Sequence, residues 1–382
     1  MVISKDSMNS KRILLSPPHM GGAESTYVAQ AFQDNWIAPA GPHIDLFENR
    51  LVDFLDEKSQ VVALNSGTAA IHLGLQLLGV QKEDVVLCQS LTFVASVNPV
   101  LYLGATPVFI GSEKETWNLC PIALEDAILN QLKKGIQPKA IIVVHLYGMP
   151  AKMNEILVLS NKYKIPILED AAEALGSSYN GRSCGTFGDF GVLSFNGNKI
   201  ITTSGGGALI CNSESDKKKA IFLATQAKED AVHYEHTQVG YNYRMSNVSA
   251  SIGLGQLEVL QNHLQLRRQN HTFYQQLFNT ISEVTLHQEP NENIVSNHWL
   301  NVIQLASFEQ REALRLHLEK HNIESRPVWK PMHLQPLFQD CQYFGDDLAD
   351  KLFDNGLCLP SGSNLSEEDL YRIKDVLFLF FN

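Results

Sequence analysis

Lys199 is the residue whose setting most directly suggests chemistry. It lies in GVLSFNGNKIITTSGGG (191–207), between an apolar run and Ile-Thr-Thr, close to Ser194, Asn198 and three successive glycines. A lysine amine partly removed from water has a lowered pKa and becomes a nucleophile that condenses with carbonyl groups. Because surface lysines far outnumber reactive ones, and the glycines alone could form a tight turn, Lys199 needs support from other segments.

A carboxylate, Asp170, ends the apolar run KIPILED (164–170) and is followed by AAEALG. The carboxyl end of a parallel strand is the edge at which α/β proteins bind ligands. Asp170 could instead cap the helix that follows it. The residue alone does not distinguish these two roles.

Asn65-Ser66-Gly67-Thr68 separates the apolar run VVAL from the helical pattern AAIHLGLQLLG. Free amides at a helix N-terminus, together with Ser66 and Thr68 hydroxyls, form an anion site that Gly67 lets a ligand approach closely. Ordinary helix capping is the more common use of such residues. The motif is also shorter than the lysine-containing phosphate loop.

The three segments together supply what pyridoxal 5′-phosphate requires. Its aldehyde needs an amine, its pyridine nitrogen a carboxylate and its phosphate a helix N-terminus. An aromatic residue to stack on the ring is also needed, and Phe93 in SLTFVAS follows an apolar run. Phe93 alone would be a core residue, but the combination is far more specific than any member.

The elements that must position these residues form an alternating pattern of apolar runs and amphipathic stretches. Continuous β-branched runs indicate strands that are buried on both faces, as in a parallel sheet of a doubly wound α/β domain. The predicted strands are 61–64, 84–90, 139–148, 164–170, 191–195 and 206–212.

The pattern changes after residue 247. Residues 248–281 predict one long helix, with a break expected near its glycines, followed by a strand at 298–306 and helices at 309–322 and 367–381. We therefore predict a large α/β domain over 12–247 that binds the cofactor. The interdomain helix and a smaller α+β domain occupy 248–382.

Composition excludes several classes of function. The 382 residues carry 30 Lys and Arg against 41 Asp and Glu, a net charge of −11, which argues against a nucleic-acid partner. The six cysteines contain no Cys-x-x-Cys pair, so neither a metal site nor a disulfide framework is indicated. Residues 1–12 lack the apolar core of a signal peptide, and no apolar run approaches the ~18–20 residues of a membrane span. We expect a cytoplasmic protein that does not bind membranes.

With these motifs in order, the sequence resembles the DegT/StrS family of pyridoxal-phosphate-dependent sugar-nucleotide aminotransferases, from about residue 13 to the C-terminus. The segments that carry the resemblance are NWIAPAGPHIDLFE (35–48), LNSGTAAIHL (64–73), LTFVASVNP (91–99), VVHLYGMPAKM (143–153), ILEDAAEALGS (167–177), GDFGVLSFNGNKIITTSGGG (188–207), VGYNYRMSN (239–247) and RPVWKPMHLQP (326–336). The family implies the aspartate-aminotransferase-like fold, known as fold type I, with a large mixed or parallel sheet.

The resemblance also implies roles for individual residues. Lys199 would bond to the cofactor and move protons, and it excludes the family's sugar dehydratases, which have histidine there. Asp170 would pair with the pyridine nitrogen, and Glu173 would lie beside the ring hydroxyl, where many relatives have Gln or His. The remaining cofactor contacts would be Phe93 on the ring, Ser66, Gly67, Thr68 and Ser194 on the phosphate, and Asn242 on the phosphate of a neighbouring subunit in an obligate homodimer.

On the substrate side the resemblance is less specific. The segments that border the sugar-nucleotide pocket in the family correspond here to Trp36, Ile37, Trp329, Lys330 and His333. His236, with His233, could line the pocket across the interface next to Arg244, although a solvated loop is the simpler explanation for the two histidines. A metal site is not expected, because no third ligand lies nearby. Lys330 and Arg244 are candidate partners for a diphosphate.

The implied reaction moves an amino group from L-glutamate to a nucleotide-linked keto-sugar. The motifs most resemble those of C4-aminotransferases that act on UDP-linked 4-keto-6-deoxy-N-acetylglucosamine, which make the 4-amino precursor of bacillosamine for bacterial surface glycans. An enzyme of the GDP-perosamine type and a C3-aminotransferase for dTDP-sugars are the alternatives. Two other classes of function compete: a non-catalytic cofactor-binding protein, and a dinucleotide-dependent dehydrogenase. A non-catalytic protein should have lost one of the site residues, and none is missing. A dehydrogenase should show Gly-x-Gly-x-x-Gly after its first strand, and this sequence does not.

Overall fold

The computed structural model describes residues 11–56 and 58–381, so the expectation for the first N-terminal residues concerns positions 1–10, outside the described part. Helices and strands alternate along most of the chain. In chain order they are α1 (Glu24–Gln33), α2 (Pro42–Leu55), β1 (Gln60–Leu64), α3 (Gly67–Leu77), β2 (Val85–Gln89), α4 (Asn98–Tyr102), β3 (Thr106–Ile110), α5 (Pro121–Lys133), β4 (Ala140–Val144), α6 (Met153–Tyr163), β5 (Ile167–Asp170), β6 (Ser178–Tyr179), β7 (Arg182–Ser183), β8 (Phe190–Ser194), β9 (Gly207–Cys211), α7 (Glu214–Ala224), α8 (Asn247–Phe278), β10 (Thr285–Leu286), β11 (Ile294–Val295), β12 (Asn301–Gln304), α9 (Phe308–Lys320), β13 (Arg326–Pro327), β14 (Tyr343–Phe344), α10 (Leu348–Asn355), β15 (Gly356–Leu359) and α11 (Glu367–Phe381).

An eight-stranded sheet in the order β1-β9-β8-β5-β4-β2-β3-β14 organises the larger part of the molecule. All its neighbouring strands are parallel except for β9, which is antiparallel to both β1 and β8. The sheet confirms the mixed, doubly wound architecture, and each of the six predicted strands is present.

Helices cover both faces of this sheet, and the side chains of each strand alternate between two cores. Val61 and Leu193 face a core shared with α2 and α8, whereas Val62 and Val192 face the opposite core with α3. This burial on both faces explains the continuous apolar runs. The parallel orientation of these strands places their carboxyl ends, with the polar residues there, at one edge of the sheet.

Strand β3 was missed because Pro107 interrupts its short apolar run, and proline weakens a strand assignment. In the fold the proline is tolerated. Phe109 N donates to Gln342 O on the β14 side, whereas Thr106 N donates to Asp84 O on the β2 side. Position 107 therefore faces the side that the two-residue strand β14 does not reach, where no backbone donor is needed.

The expected break in the long helix was wrong: α8 is continuous over 32 residues. Its glycines allow close helix packing instead. A Cβ at Gly253 would lie 2.6 Å from the ring of Phe47 in α2, and one at Gly255 would lie 2.5 Å from the backbone nitrogen of Glu24 in α1. Packing thus outweighs the low helix propensity of glycine.

Beyond α8 a second sheet forms, in the antiparallel order β10-β12-β15-β13, and packs with α9 and α11 around a separate core. Strand β14 nevertheless returns to the large sheet and pairs in parallel with β3. The division at residue 247 stays a prediction, and two strands beyond it, β11 and β14, pair with strands that precede it, β6 and β3. Among the described helices, none has both the length and the apolar character that crossing a membrane would require.

Candidate active site

Asp170 ends β5 at the carboxyl edge of the large sheet, and both of its carboxylate oxygens accept hydrogen bonds. Ser96 Oγ donates to Oδ2 at 2.7 Å, and Ala172 N donates to Oδ1 at 3.1 Å. Thr92 Oγ1 in turn lies 2.7 Å from Ser96 Oγ. The buried carboxylate is thereby fixed at the strand end.

The predicted anion site lies at the N-terminus of α3. Ser66 is the N-cap residue of this helix and accepts a hydrogen bond from Ala69 N at 3.1 Å, so the capping role is confirmed. A Cβ on Gly67 would lie 3.2 Å from that of Ser194 at the end of β8. At Gly207, a Cβ would collide with the backbone of Ser66 and Gly67. Glycine at 207 therefore lets β9 pass directly behind the anion site.

Lys199 extends towards Glu173, with 3.3 Å between Nζ and Oε1. The other Glu173 oxygen accepts a hydrogen bond from Tyr147 N at 2.8 Å, and Tyr147 adopts a left-handed φ of 55° to direct its amide there. Burial raises the pKa of Glu173 to about 7, although the Lys199 charge opposes the rise. A carboxylate that loses its proton near neutral pH thus lies next to the reactive amine.

Four aromatic rings stand over these groups. Phe93 is half exposed, and its ring centre lies 5.4 Å from that of Trp329. The Trp329 ring packs against Tyr147 at 4.8 Å, and Trp329 N donates to the Tyr147 hydroxyl at 3.0 Å. Lys199 Nζ lies 4.3 Å from the centre of the Trp299 ring.

Phe93, Trp299 and Trp329, together with the anion-site residues, Asp170, Glu173 and Lys199, line one cavity of about 290 Å³, which we name the cofactor cavity; Tyr147 lies behind this lining. The cavity brings together eight of the nine predicted cofactor residues: Ser66, Gly67, Thr68, Phe93, Asp170, Glu173, Ser194 and Lys199. An anion site, a strand-end carboxylate, an amine and an accessible aromatic ring occur together, as pyridoxal phosphate requires. The residues present fit that cofactor.

A second space of about 340 Å³, the adjoining chamber, shares Phe93, Asn198, Trp299 and Trp329 with the cofactor cavity. Its other walls come from distant segments: residues 14–17, Leu300, Glu324, Arg326, Pro327 and Cys358. The exposed Arg326 guanidinium bonds Glu324 at 2.8 Å. Sequence analysis did not identify Arg326 as a candidate.

The remaining predicted site residues lie outside both spaces. Asn242 accepts a hydrogen bond through its backbone oxygen from Asn65 Nδ2 at 3.0 Å, beside the anion site. Trp36 and Ile37 are exposed in the segment that hydrogen-bonds to Asn247. His236 lies on an exposed loop and contacts Gln226 O at 2.9 Å.

Arg244 and His333 are engaged in internal contacts. The Arg244 guanidinium donates to Glu48 and to Ala63 O and does not line the cavity, so we do not retain it as a diphosphate partner. His333 lies 2.7 Å from Ser90 Oγ and 3.0 Å from Asp350, and it stacks on Tyr343. Lys330 is half-buried and lines neither space.

Two buried clusters elsewhere combine histidine with carboxylates. His145 donates to Glu169, whose oxygens also accept the backbone amides of residues 185, 187 and 188, so this cluster fastens a loop beneath β5. In the other, the rings of His271 and His298 stack 3.7 Å apart at 8°, with Glu289 bonded to His298. Parallel rings direct their nitrogen lone pairs into separate planes, which is not the arrangement around a shared ion.

Sequence reasoning missed Ser96, Tyr147 and Trp299. Ser96 and Tyr147 do lie in segments that were singled out, LTFVASVNP and VVHLYGMPAKM, each directly after a strand. That position was the available signal for both. Trp299 carried no such signal, since it lies 100 residues beyond Lys199 along the chain.

Comparisons with known proteins identify the family of the chain. The model of the DegT/DnrJ/EryC1/StrS aminotransferase family matches residues 18–378. EpsN of Bacillus subtilis (strain 168), assigned by name to the pyridoxal phosphate-dependent aminotransferases, is 48% identical over 376 residues, covering 97% of this chain and 96% of its own. The GDP-perosamine synthase of Escherichia coli O157:H7 is 36% identical over 372 residues, covering 97% and 99%. The PMP-form structure of Spr1654 from Streptococcus pneumoniae, titled a sugar aminotransferase, superposes with a TM-score of 0.88 at 28% identity, covering 97% and 99%.

The chain therefore belongs to the DegT/DnrJ/EryC1/StrS aminotransferase family. It is a pyridoxal-phosphate-dependent sugar aminotransferase with the fold-type-I architecture. The expected family, fold and cofactor are confirmed. The individual residue roles and the exact substrate are matters for proposal.

Proposed function

We propose that the enzyme transfers the amino group of L-glutamate to C4 of a nucleotide-linked 4-keto-6-deoxy sugar, with UDP-2-acetamido-2,6-dideoxy-4-keto-hexose as acceptor, for surface glycan synthesis. The observation that carries the catalytic part is the convergence of Lys199, Asp170 and the α3 N-terminus in one cavity. The choice of acceptor is supported by the motifs at 35–48, 194–207 and 233–247.

Pyridoxal phosphate, when bound, supplies an electron sink that stores the amino group between the two half-reactions. The chain's own groups do the rest. Asp170, held by Ser96, is the carboxylate that would pair with the pyridine nitrogen. Lys199 is the amine that holds the cofactor and moves the proton. Glu173 holds or releases a proton beside Lys199, because its pKa is about 7.

The adjoining chamber is the proposed site for the part of the substrate that does not react. Its aromatic walls, Phe93 and Trp329, suit a sugar or base, and Arg326 offers a cation for negative groups. We assign the diphosphate contact to Arg326 instead of Arg244, because Glu48 holds the Arg244 guanidinium. The Arg326 side chain is exposed, and its ion pair with Glu324 is of the surface kind that contributes little to stability. Its guanidinium can therefore bind a diphosphate instead.

We also propose the homodimer with shared active sites. Around the Asn242 segment the chain exposes large apolar groups: Tyr234, Val232 and Val239 on one loop, and Trp36 and Ile37 next to Asn247. Exposed apolar side chains of this kind mark protein contact surfaces. A second copy of the chain is the partner that an active site needing Asn242 would require.

A mixing experiment tests the shared site. Lys199→Ala and Asn242→Ala proteins, each weakly active, are mixed, unfolded and refolded together. If Asn242 serves the neighbouring subunit, mixed dimers contain one intact site and recover about a quarter of the wild-type activity, since half of the dimers are mixed. No recovery in mixtures shown to be dimeric contradicts the shared site.

The substrate is tested by half-reactions followed in the cofactor absorbance. Glutamate should convert the loaded enzyme to its amine form, and the UDP-linked N-acetyl keto-sugar should restore the original spectrum. The 36% identity to a GDP-perosamine synthase supports a second candidate acceptor, the GDP-linked 4-keto-6-deoxymannose. Recovery with only that sugar, or with only a dTDP-linked keto-sugar, would replace the UDP proposal. No response to glutamate would remove the donor assignment.

A further inference from the structure

Trp299 touches the reactive lysine but belongs to the second half of the chain. Its ring centre lies 4.3 Å from Lys199 Nζ, within the range at which an ammonium is attracted to an indole face. The side chain is 2% exposed and lies where the cofactor cavity meets the adjoining chamber. The ring is therefore dry and close enough to act on the amine.

The same indole also holds the backbone before Lys199. Trp299 Nε1 donates to Asn198 O at 2.7 Å, and Ser16 Oγ donates to the same oxygen at 2.8 Å. This carbonyl belongs to the peptide that joins Asn198 to Lys199. Fixing that peptide fixes the starting direction of the Lys199 side chain.

Trp299 is itself firmly anchored. Its backbone nitrogen donates to Asn297 Oδ1 at 2.9 Å, and its carbonyl accepts from the fully buried Arg267 at 2.7 Å. Asn297 Nδ2 donates to Glu173 O at 2.8 Å. The anchor thus ties Trp299 to the backbone of Glu173, the other neighbour of the lysine amine.

We propose that Trp299 is a positioning residue for Lys199: its indole nitrogen fixes the Asn198–Lys199 peptide, and its ring face attracts and positions the free amine at 4.3 Å. Glu173 supplies the negative charge on the other side, at 3.3 Å. Whenever Lys199 is not bonded to the cofactor, its Nζ then rests over the ring instead of moving into the chamber. The inference rests on the role of Lys199 in the proposed function.

Two substitutions separate the two contacts. Trp299→Phe retains an aromatic face but loses the N–H donor to Asn198. Trp299→Leu keeps the position apolar and loses both contacts. Trp117→Phe is the matched control, because Trp117 is equally buried but stacks on His287 away from the cavity.

The first readout does not depend on catalysis. Limiting isotope-labelled anhydride acylates Lys199 in cofactor-free protein across pH 7–11, and mass spectrometry of its peptide gives the pH midpoint of amine reactivity. We expect Trp299→Leu to lower this midpoint by roughly 0.5 to 1.5 pH units, the range that corresponds to a cation–π contact. Trp299→Phe should lower it by less than half that shift, and Trp117→Phe should leave it unchanged.

The second readout is the glutamate half-reaction of the loaded enzyme. We expect its maximal rate to fall about tenfold in Trp299→Phe and further in Trp299→Leu, with the glutamate KM within twofold of wild type. An unchanged labelling midpoint in Trp299→Leu overturns the ring contact. A rise in KM without a fall in rate overturns the positioning role and makes Trp299 a substrate contact. If the leucine variant does not fold, an unchanged rate in Trp299→Phe overturns the peptide contact.

Failure of this inference is distinguishable from failure of the proposed function. The labelling midpoint requires neither donor nor acceptor, so it tests the Trp299 contact even if the sugar is misassigned. A wild-type enzyme that does not respond to glutamate contradicts the proposed donor. A shifted midpoint in Trp299→Leu would still support the contact in that case.

Discussion

The cofactor cavity and the adjoining chamber meet at the same rings but are built differently. The cavity takes its polar groups from the ends of β1, β5 and β8 and the turns after them, and its carboxylates, Asp170 and Glu173, are buried and accept hydrogen bonds. The chamber is assembled from the N-terminal segment, from strands β13 and β15 of the second sheet and from the residues just before β12, and the cation in its described lining, Arg326, is exposed. The strand ends of the large sheet thus supply the chemical groups, whereas the chamber draws its contacts from segments that lie far apart in the sequence.

Substitution of Lys199 is expected to have the largest effect, because the cavity has no other amine in its lining. Lys199→Ala should lower turnover by at least about a thousandfold, since both the covalent attachment and the proton transfer are lost. Steady-state assays measure the loss, and borohydride reduction followed by mass spectrometry measures the attachment. Lys162→Ala, which removes an exposed lysine paired with Glu125, is the control. Retained turnover in Lys199→Ala would break the assignment of the cavity.

Asp170→Asn should have the next largest effect and lower the rate of the glutamate half-reaction about a hundredfold. A neutral amide stabilises a protonated pyridine nitrogen far less than a buried carboxylate does. Ser96→Ala should give a smaller loss of about tenfold, because it removes one hydrogen bond to Asp170 but keeps the charge. Stopped-flow absorbance measures both rates. Equal effects of the two variants would mean that the charge of Asp170 is not what matters.

The sequence predicted the residues of the cofactor cavity better than those of the adjoining chamber. Asp170, Lys199 and Ser66 each lie at the end of an apolar strand or in the polar segment that follows one, and this local pattern is sufficient to place them at one edge. Trp299 and Arg326 reach the site only through the path of α8 and the second sheet, which no local pattern specifies. The sequence also does not show that the buried carboxylate of Glu48 accepts a hydrogen bond from the Arg244 guanidinium, which the resemblance had placed next to the substrate.

Glu173 lines the cavity, and the Lys199 charge and the hydrogen bond from Tyr147 only partly offset the cost of burying its carboxylate. Its folded-state pKa, about 7, lies above the ordinary value of 4.5, so the folded state binds this proton more tightly than the unfolded chain. The corresponding stability is fully present below about pH 4.5 and is lost as the pH rises through 7, by roughly 3 kcal/mol. Glu173→Gln should remove this component of the pH dependence.

Urea unfolding of the cofactor-free protein between pH 4.5 and 8 measures that change for wild type and variant. Glu155→Gln, a substitution of an exposed glutamate at the start of α6, is the control and should retain the wild-type slope. Identical slopes in wild type and Glu173→Gln would show that the buried carboxyl is ionised throughout this range. Its role as a proton-holding group beside Lys199 would then fail, although the cavity would keep its other groups.

Arg326→Gln is expected to have the smallest effect and addresses the chamber alone. An exposed cation that already pairs with Glu324 contributes little to stability, so unfolding should be unchanged. Its contact with a substrate anion should be worth about 1 kcal/mol, which raises the acceptor KM roughly fivefold at low salt and less at high salt. Arg315→Gln on α9, where the arginine pairs with Glu312, is the matched control. A fall in kcat with an unchanged acceptor KM would contradict the separation of the two regions, because a chamber residue would then act on the chemistry that we assign to the strand ends.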